Sequence, residues 1–160
     1  MEGPALHPDV APLAFLLGSW MGEGKGFYST IAPFEYGEEI RVWHVGKPVL
    51  PYTQRTWSLD DGRPLHAEAG FWRMGGEGRV ELVVAHPNGH AEVAEGTLHG
   101  TSISMASISI ARTATAKPVD VIERDVNLNG DVLTYELRMA AMGRPLEGHL
   151  QAELRLGSTH

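Results

Sequence analysis

The sequence GSWMGEGKG, residues 18–26, carries glycine or tryptophan at every second position. Because successive side chains of a β-strand point to opposite faces, this spacing places four glycines and Trp20 on one face. Repeated glycine weakens an ordinary strand and is typical of a sharp bend, or of a surface against which another backbone or a ligand lies. We expect a curled first strand that helps to close a barrel, with Trp20 filling one end of the interior. Curvature without any ligand is an equally good interpretation.

The rest of the chain indicates a mostly β protein. Short segments bounded by turn residues follow Trp20, and no long segment shows helical periodicity. Turns such as Asn129-Gly130-Asp131 favour tight hairpins and therefore sequential antiparallel neighbours. The predicted strands are 18–27, 34–45, 50–59, 65–74, 79–85, 90–98, 102–111, 119–128, 132–139 and 146–155. The predicted fold is all-β, a roughly ten-stranded antiparallel up-and-down β-barrel, lipocalin-like, with a short N-terminal helix within 7–17 that caps the base beside Trp20.

Length and charge narrow the function classes. The 160 residues suit one domain, 1–160, and no linker or internal repeat supports a second. The net charge of -7 disfavours nucleic acid and anionic membranes as partners. No apolar run approaches the roughly 20 residues of a membrane span, and 1–15 lacks the pattern of a secretion signal, so we expect a cytoplasmic protein. Without cysteine, metal chemistry must rest on histidine, carboxylates, methionine or tyrosine.

Alternation sorts two strands into faces, and we expect the apolar face of each to point into the barrel. In 132–139 the apolar face holds Leu133, Tyr135, Leu137 and Met139. In 65–72 the apolar face holds Leu65, Ala67, Ala69 and Phe71, opposite His66, Glu68 and Trp72. Small inward residues hint at a cavity, although tight packing explains them equally well.

Several motifs together resemble a known family. The chain begins its strands with GSWMGEG (18–24) and continues with YSTI (28–31) and FEYGEE (34–39). It then carries YTQRTW (52–57), LHAE (65–68) and PLEGHLQAEL (145–154). In order and spacing these segments, which extend from Leu16 to Leu156, resemble nitrobindin, a family of small haem-binding β-barrels.

The resemblance implies a ten-stranded barrel that holds one haem b near its open end. It implies that a single histidine in the closing Pro-Leu-x-x-His-Leu motif, here His149, binds the iron. The other cofactor-binding positions implied by the family motifs are His66, Leu65, Met139, Thr30, Gly18, Trp20, Gly22 and Gly24.

The family's chemistry gives the functional expectation. Members are thought to keep the iron ferric, to bind nitric oxide and to isomerise peroxynitrite to nitrate. A neutral imidazole is a good ligand for haem iron, and one such ligand leaves the sixth position open for an anionic oxygen. We therefore expect a haem-dependent peroxynitrite isomerase with His149 as the metal-binding and catalytic residue. The oligomeric state stays open, a homodimer being one option.

Two other functions are compatible with the same barrel. A carrier of an apolar small molecule such as a fatty acid would need an internal clamp, for which Arg55 and Arg73 are the candidates. A haem or nitric oxide sensor without turnover would share the ligand His149. Hemin uptake separates the carrier from the haem proteins, and peroxynitrite decay separates the sensor from the isomerase.

The histidines raise one difficulty. Strict alternation groups His149 with Gln151 and Glu153 as outward residues, unless a bulge near Gly148 or a place at the rim turns the ring inward. His66 has the same difficulty. Glu68 and His66 form a His-x-Glu pair that lacks a second histidine at suitable spacing. The remaining histidines considered, which we expect to be solvated, are His44, His86, His90, His99 and His160.

Overall fold

The computed structural model describes residues 3–28 and 31–157. A 3₁₀ helix, η1, covers Pro8–Leu16. Ten strands follow it, with bounds β1 Gly18–Tyr28, β2 Ile31–Val42, β3 Leu50–Ser58, β4 Pro64–Gly76, β5 Arg79–Ala85, β6 His90–His99, β7 Ser102–Arg112, β8 Val119–Asn129, β9 Val132–Ala141 and β10 Glu147–Leu156. The predicted strands agree with these bounds to within three residues at either end.

The strands form a closed barrel in which each pairs with its chain neighbours and β1 pairs with β10. All ladders are antiparallel, as tight hairpins require. Gly130 adopts the left-handed conformation, φ 64°, in the turn between β8 and β9. The predicted up-and-down barrel is confirmed.

Helix η1 closes one end of the barrel. Its N-cap is His7, whose ring accepts a hydrogen bond from the Asp9 backbone, and Pro8 occupies the first turn. Leu13 and Leu16 are buried against the interior, and the Trp20 indole donates a 2.8 Å hydrogen bond to the Leu16 carbonyl. The predicted cap beside Trp20 is confirmed, and we call the opposite end, which no helix among the described residues covers, the open end.

The glycine face of β1 is covered by the chain itself. A Cβ at Gly24 would lie 2.4 Å from Cζ of Tyr36, and one at Gly26 would lie 2.1 Å from Cζ of Phe34. Gly22 is approached instead by the backbone of β10. The glycines therefore allow tight curvature and admit two aromatic rings of β2.

The faces of β4 are opposite to those predicted. Glu68 and Trp72 face the interior with His66, whereas Phe71 is 49% exposed on the outer face. The expectation that Ala67, Ala69 and Phe71 face inward is wrong, because the interior of this barrel is polar near the open end. For β9 the expectation holds: Leu133 is buried, and the Tyr135 hydroxyl reaches interior groups.

The ladder between β7 and β8 is shorter than its neighbours. It joins Ser102–Ala106 to Glu123–Asn127 and stops there, although both strands continue towards the open end. Just beyond the ladder, the Ile122 backbone N–H donates a 3.0 Å hydrogen bond to the Ser107 hydroxyl.

Among the described residues, no helix is long and apolar enough to cross a membrane.

Candidate functional site at the open end

His149 is the additional residue of a β-bulge in β10. Gly148 pairs with Arg138 of β9 and Leu150 pairs with the adjacent Leu137, so His149 has no opposing residue. A bulge shifts the alternation of side chains by one position. The bulge predicted near Gly148 is confirmed, and it accounts for a half-buried His149 in a strand whose periodicity indicates an exposed one.

The His149 ring is held neutral at this position. Burial lowers its pKa to about 4, a hydrogen bond to the Phe27 backbone opposes the shift, and the nearby charge of His66 adds to it. A neutral imidazole is the form that binds a metal ion. A hydrogen bond to one ring nitrogen fixes the tautomer and the orientation of a ligating histidine.

The other predicted residues near this end have different surroundings. Met139 is half-buried and pairs with Ile122 of β8. Leu65 is the additional residue where the β3–β4 register shifts, and its side chain is 40% exposed, so the interior position expected for it is wrong. Its predicted contact with a cofactor rests only on its place at the open end. Thr30 lies outside the described residues.

The glycine-tryptophan motif begins at the closed end of the barrel and runs along β1 towards the open end. Gly18 pairs with Val42 at the end that η1 closes, and Trp20 is buried there. Gly26 pairs with Leu150, close to His149, and six residues of strand between Trp20 and Gly26 span about 20 Å. Gly18 and Trp20 therefore lie far from His149, at the closed end of the barrel, whereas the contacts of Gly22 and Gly24 with a cofactor stay predictions.

His66 belongs to a buried cluster with Glu68. Its Nε2 lies 3.2 Å from Glu68 Oε1, and the Tyr52 hydroxyl donates a 2.5 Å hydrogen bond to Glu68 Oε2. Burial alone would raise the pKa of Glu68, but the hydrogen bond from His66 and the charge of Arg124 outweigh it and hold the pKa at about 2. Glu68 is therefore ionised inside the barrel.

His86, which directly follows the last residue of β5, belongs to the same cluster. Its Nδ1 lies 3.9 Å from Glu68 Oε1, and its Nε2 lies 2.9 Å from Glu92 Oε1. Glu92 also accepts two hydrogen bonds from Arg124, one of them 2.8 Å from Nη2 to Oε1. A buried carboxylate and guanidinium in this bidentate arrangement neutralise each other.

A second polar group lies deeper, around Glu38. Gln54 Nε2 donates to Glu38 Oε2 at 2.6 Å, and the Tyr135 hydroxyl donates to Glu38 Oε1 at 2.7 Å. The Tyr36 and Tyr135 hydroxyls are 2.8 Å apart. Burial raises the pKa of Glu38 to about 7 in spite of the two hydrogen bonds.

Sequence reasoning missed the charged interior. Glu38, Glu92 and Arg124 were not predicted as site residues, and yet each has buried residues two positions away on at least one side. Arg124 stands between Ile122 and Val126, both buried. A charged residue in the inward register of an apolar strand is the signal that identifies them.

The structure also decides the expectations for two histidines and two arginines. His86 is nearly buried, and buried His90 lies 2.6 Å from the Lys117 carbonyl, so the prediction that both are solvated is wrong. Arg55 stacks over Trp57 on the outer face, and Arg73 pairs there with Glu81. Neither arginine is an internal clamp.

Comparisons with known proteins agree with this architecture. Residues 9–155 match the family described as THAP4-like, heme-binding beta-barrel domain. The chain is 49% identical over 154 residues to peroxynitrite isomerase 2 of Mycobacterium marinum, covering 94% of this chain and 96% of that relative. It is 48% identical over 155 residues to peroxynitrite isomerase of Nocardia farcinica, covering 94% and 92% respectively.

Solved structures give the same result. The crystal structure of Rv2717c from M. tuberculosis has a TM-score of 0.89 and 45% identity, over 96% of this chain and 100% of that one. The S-type phycobiliprotein lyase CPES from Guillardia theta has a TM-score of 0.61 at 12% identity, over 91% of both chains. This second likeness concerns the fold alone.

Proposed function

The chain belongs to the family of THAP4-like, heme-binding β-barrel domains, and on that basis we propose that it binds one haem b through His149 and isomerises peroxynitrite to nitrate. The names of its relatives, peroxynitrite isomerases at 45–49% identity, support the enzymatic part of the proposal. The observation that carries the ligand assignment is the bulge at His149, which brings a neutral imidazole to the open end of the barrel.

The residues present fit a haem group. The His149 imidazole lies at the open end and is oriented by the Phe27 backbone. Half-buried Met139 and Leu150 flank it and provide apolar contact for a porphyrin. His149 would hold the iron from the β10 side, and the hydrogen bond from its ring would keep it aligned.

The two histidines of the cluster around Glu68 favour an open sixth position. Nε2 of His66 is held by Glu68, and Nε2 of His86 by Glu92. Both ring nitrogens face interior carboxylates, so we assign neither ring to the iron. Ligation by His149 alone would leave one coordination position of the iron for peroxynitrite or for nitric oxide.

When bound, haem supplies a ferric Lewis-acid centre that accepts an anionic oxygen and weakens the O–O bond behind it. The protein's part is to keep His149 neutral by burial and to offer apolar contacts through Met139 and Leu150. Isomerisation consumes no electrons, so the chain needs no reductase partner. The arrangement suits an isomerase better than a carrier of anionic lipids, because the interior Arg124 is already paired with Glu92.

Hemin titration of the purified chain tests the proposal. We expect a Soret band at one equivalent, lost in His149→Ala and retained in His99→Ala, whose exposed ring lies at the closed end. Stopped-flow mixing of the ferric protein with peroxynitrite should then accelerate decay to nitrate. Equal hemin affinity in His149→Ala would overturn the ligand assignment. A Soret band without accelerated decay would leave a sensor and reject the isomerase.

A further inference from the structure

His66, Glu68 and His86 bring three metal-binding side chains together inside the barrel. One donor atom from each lies within 4.8 Å of the other two. Glu68 Oε1 is the shared centre, 3.2 Å from His66 Nε2 and 3.9 Å from His86 Nδ1. A tetrahedral metal with bonds of 2.0–2.2 Å needs donors about 3.3 Å apart, so modest side-chain rotations suffice.

Two of these residues, His86 and Glu68, also form hydrogen bonds with residues outside the cluster, as the ligands of metal sites do. In the tautomer in which His86 Nε2–H donates to Glu92 Oε1, the Nδ1 lone pair points towards Glu68 Oε1. Two acceptor atoms then face each other at 3.9 Å, an arrangement that a cation between them relieves. Tyr52 fixes the other oxygen of Glu68. Ligating histidines and carboxylates are typically oriented by such second contacts.

The electrostatics also suit a cation. Glu68 is ionised, which gives the cluster one negative charge. The nearby positive charge of Arg124 is offset by its bidentate partner Glu92. His66 is the most accessible of the three donors, with a third of its side chain exposed, so an ion can enter from the open end.

We propose that His66, Glu68 and His86 form a binding site for a divalent transition metal ion of the Zn²⁺ class, with a ligand set distinct from His149. Two imidazoles and one carboxylate are the donors that such ions prefer. Three protein ligands leave a fourth position for water. The site does not depend on the proposed haem function.

Cobalt(II) titration of the metal-free, haem-free chain tests the site, because four-coordinate Co²⁺ absorbs visibly. We expect one equivalent to bind, and affinity to fall at least about tenfold in His86→Gln and in Glu68→Gln. His149→Ala is the matched control: it should keep Co²⁺ binding while losing the Soret band. His86→Gln should do the reverse, and its hemin binding also shows that it is folded.

A second measurement uses the wild-type chain alone. Zinc-edge X-ray absorption on the full chain with one equivalent of Zn²⁺ should show two imidazole ligands together with oxygen ligands. Co²⁺ titrations that are the same in wild type and His86→Gln, or a zinc spectrum without imidazole, would overturn the site. Loss of hemin binding with retained Co²⁺ binding would overturn only the proposed function.

Discussion

The Tyr135 hydroxyl donates a 2.7 Å hydrogen bond to Glu38 Oε1 across 97 positions of sequence. Gln54 Nε2 donates to the other oxygen, while Gln54 Oε1 is buried and, among the described residues, has no hydrogen-bond partner. Rotation of that amide by 180° would allow a protonated Glu38 to donate to Oε1. The raised pKa of Glu38, about 7, agrees with this neutral form.

Glu38 should make stability fall as pH rises. The native state holds a proton between the ordinary pKa of 4.5 and the native pKa of about 7, whereas the unfolded state releases it. The free energy of unfolding therefore decreases over this window, by roughly 3 kcal/mol in all. Urea denaturation of wild type and Glu38→Gln at about pH 5 and about pH 8 measures the effect. A constant difference between the two proteins would contradict it.

Gly24→Ala should destabilise the barrel, because the added Cβ would lie 2.4 Å from Cζ of Tyr36. Overpacking of this kind costs about 1–3 kcal/mol. Gly148→Ala is the control, since a Cβ there meets no atom within 4 Å. Thermal unfolding of the haem-free proteins measures both. Equal melting temperatures for Gly24→Ala and wild type would show that Tyr36 can move away at no cost.

Breaking the pair between Glu92 and Arg124 should be costly. Arg124→Met leaves the buried carboxylate without its bidentate partner, for which we expect a loss of about 3–5 kcal/mol in urea denaturation. The double variant Glu92→Gln with Arg124→Met should recover part of the loss. An exposed pair provides the comparison: Asp61→Asn beside Arg63 should change the free energy of unfolding far less than Arg124→Met does. Similar losses for Arg124→Met and Asp61→Asn would contradict a buried ion pair.

Deleting Gly148 should abolish hemin binding with little loss of fold. The deletion removes the bulge, so His149 would pair with Arg138 and turn towards the outer face, while Leu150 to Leu156 keep their register. The Soret band reports binding, and circular dichroism reports the fold. Gly148→Ala, which keeps the chain length, should bind hemin. A Soret band in the deletion variant would show that the bulge does not orient His149.

The strands and their order could be predicted from the sequence because turn residues mark several of the hairpins, as at Asn129-Gly130-Asp131. The glycine face of β1 also predicted correctly that other groups lie close against it. What covers that face, the rings of Phe34 and Tyr36, depends on the pairing of β1 with β2, which the spacing within β1 does not specify.

The site was harder to predict. The rule that apolar faces point inward fails in β4, where Phe71 faces out and Glu68 faces in. Glu68 can be buried because Tyr52 of β3 and His66 of β4 form hydrogen bonds with it. The positive charge of Arg124 in β8 also stabilises its ionised form. Such partners come from distant parts of the chain, so local periodicity cannot identify them. His86, at a separation of 20 residues from His66, was missed for this reason.

Because the ladder between β7 and β8 is short, few hydrogen bonds join these two strands near the open end. Beyond Ala106, the barrel is held there mainly by the Ser107 hydroxyl at the Ile122 backbone. Local opening follows the number of hydrogen bonds that must break. Amide protons of β7 and β8 near the open end should exchange with deuterium before those of the β1–β10 ladder. A bulky planar ligand should enter the barrel most easily between these two strands.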